Sequence, residues 1–72
     1  MEKQFKYTNK YGCPRTMTVT LEKEGDYYPV VIKSDGEWLP TNAYFSGVIS
    51  DDLYTRDEIN EILKRYGVKE RI

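Results

Sequence analysis

The sequence contains no histidine and a single cysteine, Cys13, among its 72 residues. The first absence removes the commonest general base and the commonest metal ligand. The second excludes an internal disulfide and fits a reducing, cytoplasmic setting. Long apolar runs are missing too. The longest nearly apolar stretch, Tyr28 to Ile32, falls far short of the roughly 20 residues a membrane helix needs. The N-terminus, Met-Glu-Lys-Gln-Phe-Lys, never reaches the apolar segment of a secretory signal. No membrane partner is expected. Gly-rich phosphate loops, a Ser-His-Asp set, internal repeats and low-complexity segments are likewise absent. The expectation is a chain that is not an enzyme and carries no cofactor.

What is present argues for a folded chain. Seven Tyr, two Phe and one Trp make 14% of the residues aromatic, with 39% hydrophobic and 32% charged. Disordered segments are poor in such side chains. Residues 1–72 fit one compact domain, since either half would be too short for a core of its own. A domain of this size buries only ~60% of its unfolded surface, which leaves little room for a deep pocket.

Periodicity then places the elements. Lys3 to Thr8 alternates, with Phe5 and Tyr7 on one side, and predicts a first strand closed by the turn-forming residues Asn9 to Pro14. Thr16 to Lys23 predicts a second, with Met17, Val19 and Leu21 on one face and a Thr-rich opposite face. Glu24-Gly25-Asp26 turns the chain. Tyr28 to Lys33 predicts a third strand, with Tyr28, Val30 and Ile32 on one side and Pro29 at its start or on a free edge. Asp35-Gly36, within Ser34 to Glu37, is the pair favoured in tight hairpins. Trp38-Leu39 then begins a fourth strand, which Pro40 to Asn42 interrupts and Ala43 to Ile49 resumes.

The C-terminal helix carries the strongest signals. Thr55 and Glu58 have capping-box spacing, and Ile59, Ile62, Leu63 and Tyr66 form one apolar stripe. Glu61 can pair with Arg65. Gly67 supplies the helix stop, with Val68 folding back on Leu63. The product is an α+β fold: a small antiparallel meander of three to four strands with one amphipathic helix packed on one face.

Charge is distributed in blocks. Residues 1–15 carry +3, residues 16–54 carry −5 and residues 55–72 carry +1, giving −1 for the chain. In a meander the first and third loops share one end, where Lys10 and Arg15 offset Asp35 and Glu37. The opposite end gathers Glu22, Glu24, Asp26, Asp51 and Asp52, with Tyr27 and Tyr54 beside them. Turn carboxylates keep a surface hydrated, and Asp52 near a helix start favours its dipole. The same seven residues also suit a docking face for a basic protein surface, since Tyr is enriched at interface hot spots. A Ca²⁺ or Mg²⁺ site would call for an Asp-x-Asp-x-Asp-Gly loop, which is missing.

A second constellation, Lys3, Lys6, Lys10, Tyr11 and Arg15, interleaves cations with aromatics in the manner of nucleic-acid-binding surfaces. Strand alternation accounts for the same spacing. Cys13 lacks the His or helix N-terminus that activates a thiol, leaving Lys10 and Arg15 as its only aid. Trp38 reads as a lid on the core. The neighbours Asp51 and Asp52, and Asp57 and Glu58, point in different directions and form no acid–base couple.

Very short, Tyr-rich, free of catalytic motifs and charged in blocks, the chain resembles in style the small proteins of phages and mobile elements. That resemblance implies an inhibitor or modulator of a host protein, acting by steric and electrostatic occlusion with carboxylates placed where a partner expects phosphates. The function expected is therefore a non-catalytic protein-binding module. The alternative is a small nucleic-acid-binding domain using the basic-aromatic strand and loop. The chain is expected as a monomer or as a homodimer paired through a free sheet edge, which Pro29 and the charged turns discourage.

Overall fold

A computed structural model describes residues 1–72. Four strands, β1 (Glu2–Thr8), β2 (Pro14–Thr20), β3 (Tyr27–Trp38) and β4 (Tyr44–Thr55), are followed by one helix, α1 (Arg56–Arg65). The strands form one antiparallel sheet in the order β1-β2-β3-β4, the meander expected of an α+β chain. Short turns account for that order. The chain reverses within Asn9–Cys13, at Gly25-Asp26 between the bridged Glu24 and Tyr27, and within Leu39–Ala43, and a short reversal leaves consecutive strands side by side.

Pairing fixes which side chains share a face. Phe5 lies opposite Met17, Met17 opposite Ile32, and Val19 opposite Val30. This apolar face receives α1, and Phe5, Met17, Val19, Val30, Ile59 and Leu63 form the buried core. Each such side chain contributes ~1.5–3 kcal/mol on leaving water. Tyr7, Leu21, Tyr28, Ile32, Tyr54, Ile62, Val68 and Ile72 rim it. At one margin the Tyr7 and Tyr66 rings stack, with centroids 4.6 Å apart.

The helix has the ends its sequence implies. Thr55 Oγ1 accepts from the Glu58 amide, and the Thr55 amide donates to Glu58 Oε1 at 2.9 Å, completing the capping box. Asp57 and Glu58 sit in the first turn, and Lys64 and Arg65 in the last, each favouring the helix dipole. Gly67 adopts φ 75°, and the Val68 amide donates to the Leu63 carbonyl at 2.9 Å, so Val68 closes onto the core as expected. The last residues return along α1, where Ile72 exchanges hydrogen bonds with Asn60 and accepts from Arg56. Glu61 and Arg65 form no ion pair; the two present are Met1 to Glu22 and Arg15 to Glu37.

The main departure from expectation lies in β3 and β4. Asp35-Gly36 does not turn the chain. Ser34 pairs with Gly47 and Glu37 with Phe45, so Asp35 and Gly36 together face the single residue Ser46, a β-bulge. A second bulge, at Ile49, lies between the Lys33–Val48 and Ile32–Ser50 pairs. Tertiary bonds hold β3 straight through its bulge: Thr16 Oγ1 donates to the Asp35 carboxylate, and Arg15 Nη2 meets Glu37 Oε1 at 3.2 Å in a half-buried ion pair. The third strand therefore reaches Trp38, the true turn is Leu39–Ala43, and the fourth strand extends to Thr55 rather than Ile49. The second strand ends at Thr20, three residues before Lys23. Pro29 lies near the start of β3, beyond the last β2–β3 pair at Val30.

Candidate functional site

The acidic residues singled out from the sequence do gather at one end of the sheet, although not on one face. Glu22, Glu24 and Asp26 lie in the exposed segment between β2 and β3. Glu22 Oε1 stands 3.4 Å from the N-terminal ammonium, both groups largely exposed to water. Tyr27 follows, opposite Thr55 and half exposed. Asp51 faces Val31 and Asp52 faces Val30, so adjacent carboxylates project from opposite sides of β4. Asp52 Oδ1 accepts from the Leu53 amide at 2.8 Å and remains a strand residue, away from the first turn of α1. Tyr54, opposite Tyr28, points to the helix side and packs against the core.

Tyr54 also opens a site that the sequence reading missed. Between β4 and α1 runs a shallow groove of about 510 Å³, lined by Tyr54, Asp57, Glu58, Glu61, Ile62 and Arg65. Helical spacing builds it, because positions 57 and 61, and 58, 61, 62 and 65, recur at three and four residues and so share one face. Asp57 and Glu58, expected to diverge, both line it. One Glu58 oxygen is committed to the capping box. Asp57 and Glu61 form no ion pair, and three carboxylates stand against the lone guanidinium of Arg65. In sequence these carboxylates read as a solvated helix face; the signal available was that the face continues from Tyr54.

The basic constellation is dispersed. The Lys3 ammonium sits 5.4 Å from the Phe5 ring centroid on the helix side and donates to the Arg71 carbonyl. Lys6, opposite Thr16, projects from the other face. Lys10 lies 5.1 Å from the Tyr11 ring at the first turn. Arg15, in β2, is engaged with Glu37, in β3, the one place where the charges expected to offset at this end form an ion pair.

Interaction with the Glu37 carboxylate, together with desolvation, holds the Cys13 thiol above its usual pKa, against the weaker opposing effect of Arg15. A raised pKa lowers the thiolate fraction that nucleophilic attack needs. Trp38 is not a lid on the core: it is 72% exposed and meets Tyr44 edge to face, with ring centroids 5.4 Å apart. The reason is the bulge, which carries β3 past the last β2 partner, Ser34. Beyond that point the hairpin has no third strand and no helix above it.

No family model, curated protein or solved structure matches this chain. No helix is long and apolar enough to cross a membrane.

Proposed function

We propose that the protein is a non-catalytic protein-binding module that receives a basic segment of its partner at the acidic end of the sheet. The observation that carries this reading is the groove between β4 and α1. A half-buried aromatic, Tyr54, and an aliphatic, Ile62, line it alongside Asp57, Glu58 and Glu61. A Lys or Arg side chain fits such a site twice over. Its stem lies on apolar surface, its charge meets the Tyr ring face, and its donors reach carboxylates that lack a partner. Glu22, Glu24, Asp26 and Asp52 extend the negative field at this end of the sheet, Asp51 adds to it from the opposite face, and Tyr27 offers an aromatic anchor beside them.

The mechanism is occlusion. Carboxylates occupy a basic patch that would otherwise hold phosphates, so the module acts as an inhibitor or modulator of a host protein without making or breaking a bond.

The test is the affinity of a fluorescent Lys/Arg-rich peptide, read by anisotropy at low and moderate salt. Asp57→Lys with Glu61→Lys should weaken binding about tenfold or more, as removal of two facing charges implies. Lys6→Glu with Lys10→Glu should leave it intact or improve it. Equal affinity of the Asp57/Glu61 variant and the wild type would sink the proposal. Tight binding of a single-stranded oligonucleotide, lost in the Lys6/Lys10 variant, would replace it with the nucleic-acid reading.

A further inference from the structure

The outer half of the β3–β4 hairpin is unlike the rest of the chain. Residues 38–50 contain no charged side chain, while the other 59 residues hold all 23. Within this segment Trp38, Leu39, Tyr44, Phe45, Val48 and Ile49 are all exposed, Trp38 to 72% and Tyr44 to 60%. At ~150–250 Å² per aromatic side chain, Trp38 and Tyr44 on one face together expose roughly 200–330 Å², near the lower end of the largest apolar patch of an ordinary monomer, and Phe45 adds apolar surface on the other face. β4 is also an edge strand, with one side of its backbone unpaired. Natural edges are blunted with charged residues, Pro or bulges, and from Tyr44 to Val48 β4 carries none of these, its own bulge falling at Ile49. Its only charges are Asp51 and Asp52.

We propose that this edge pairs with the same edge of a second copy, antiparallel across a twofold axis at Ser46, joining two four-stranded sheets into one of eight. The chemistry of the segment selects this occupant. Nucleic acid would require cations, and residues 38–50 have none. An anionic lipid surface would be repelled by Asp35, Glu37, Asp51 and Asp52 at its margins. A second copy meets neither obstacle, because an uncharged strand faces itself without like-charge repulsion.

Charge and shape also choose the register. With Ser46 opposite Ser46, Tyr44 faces Val48 and Phe45 faces Gly47. Residues two apart lie on one side of a strand, so each pair is on a common face. Tyr44 on Val48 is an aromatic–β-branched pair, and the Phe45 ring covers the bare backbone of Gly47. Pairing stops before the Ile49 bulge, and Asp51 and Asp52 fall opposite the turn residues Thr41 and Pro40. A register centred at Asp51 or Asp52 would set carboxylates against each other. The dimer leaves both acidic ends outermost. It rests on the hairpin alone, so it stands or falls independently of the groove.

Sedimentation equilibrium of the full chain tests it, together with cysteine cross-linking in a Cys13→Ser background. The expected mass rises from 8.5 kDa to twice that with concentration. The Kd should lie on the order of 10 μM to 1 mM, as fits an interface below about 1,200 Å². Ser46→Cys should form a disulfide-linked dimer on mild oxidation, since residues facing each other across strands stand at disulfide distance. Asp52→Cys should not. Ser46→Lys, at an exposed position, should raise the Kd about tenfold or more. A mass of 8.5 kDa at every concentration, or a dimer that Ser46→Cys does not cross-link, overturns the proposal. So does a monomer that binds phosphatidylcholine vesicles through Trp38.

Discussion

The Tyr44 ring occupies the space where residue 36 would carry a Cβ. A carbon built there stands 2.7 Å from Tyr44 Cζ and closer still to its hydroxyl. Gly36 also sits at φ 106°, a conformation that side chains disfavour. The bulge, the crossing of Tyr44 over β3 and the edge contact of Tyr44 with Trp38 are thus one arrangement, and it depends on residue 36 being bare. Gly36→Ala should cost about 1–3 kcal/mol through strain and collision together. Urea unfolding reads the loss, and Trp38 to Tyr44 ring contacts in NMR should vanish with it. Unchanged stability with those contacts intact would show that the bulge has another basis.

Thr55 ends β4 and caps α1, so one side chain links the sheet to the helix. Thr55→Ala should cost ~1 kcal/mol, the usual loss for an N-cap hydroxyl. Thr55→Ser should restore most of it. If Thr55→Ala unfolds at the same denaturant concentration as wild type, the capping box contributes nothing here.

Met17 is fully buried at the centre of the six-residue core. Met17→Ala should cost about 2–5 kcal/mol. A 72-residue chain has only about 4–11 kcal/mol in total, so this one change should take the protein close to unfolding at room temperature. Thr18, on the half-solvated face one residue along, should tolerate Ala with far less loss. Circular dichroism against urea distinguishes the two.

Burial raises the Tyr7 phenol above its ordinary pKa, with the charge of Tyr66 adding to the effect and Arg15 opposing it. The folded state then holds this proton more tightly than the unfolded state, whose Tyr titrates near 10. The stabilisation is complete below that pH and is lost as pH rises through the folded pKa. The urea midpoint should therefore fall as the pH rises above about 10, and Tyr7→Phe should flatten the decline. An equal decline in both proteins would assign the alkaline loss to other groups.

The elements that were legible in sequence are those whose signals are local. The capping box, the apolar stripe from Ile59 to Tyr66 and the Gly67 stop all lie within one helix, and alternation alone placed Phe5, Met17, Val19 and Val30 in the core. Asp35-Gly36 misled because a glycine at positive φ serves a bulge as well as a turn. What decides between them is Thr16 on Asp35 and Arg15 on Glu37, contacts about 20 residues apart in sequence that no local pattern announces. That one difference moved Trp38 from the core to the surface and lengthened β4 into an unprotected edge. At the acidic end, topology was enough to gather Glu22 through Tyr54. Asp57 and Glu61 stayed hidden because on an isolated helix they read as its wet side; only the docking of α1 beside Tyr54 makes them the wall of a groove.

The most direct test of the acidic groove as a binding site is a ¹H–¹⁵N NMR titration of the full chain with a flexible Lys/Arg-rich peptide. The largest shifts should fall on Tyr54, Asp57, Glu61, Ile62 and Arg65, shrink as salt is raised, and disappear in Asp57→Lys with Glu61→Lys. Shifts centred on Lys3 to Arg15 or on the Trp38 hairpin, or none at any peptide concentration, would contradict it.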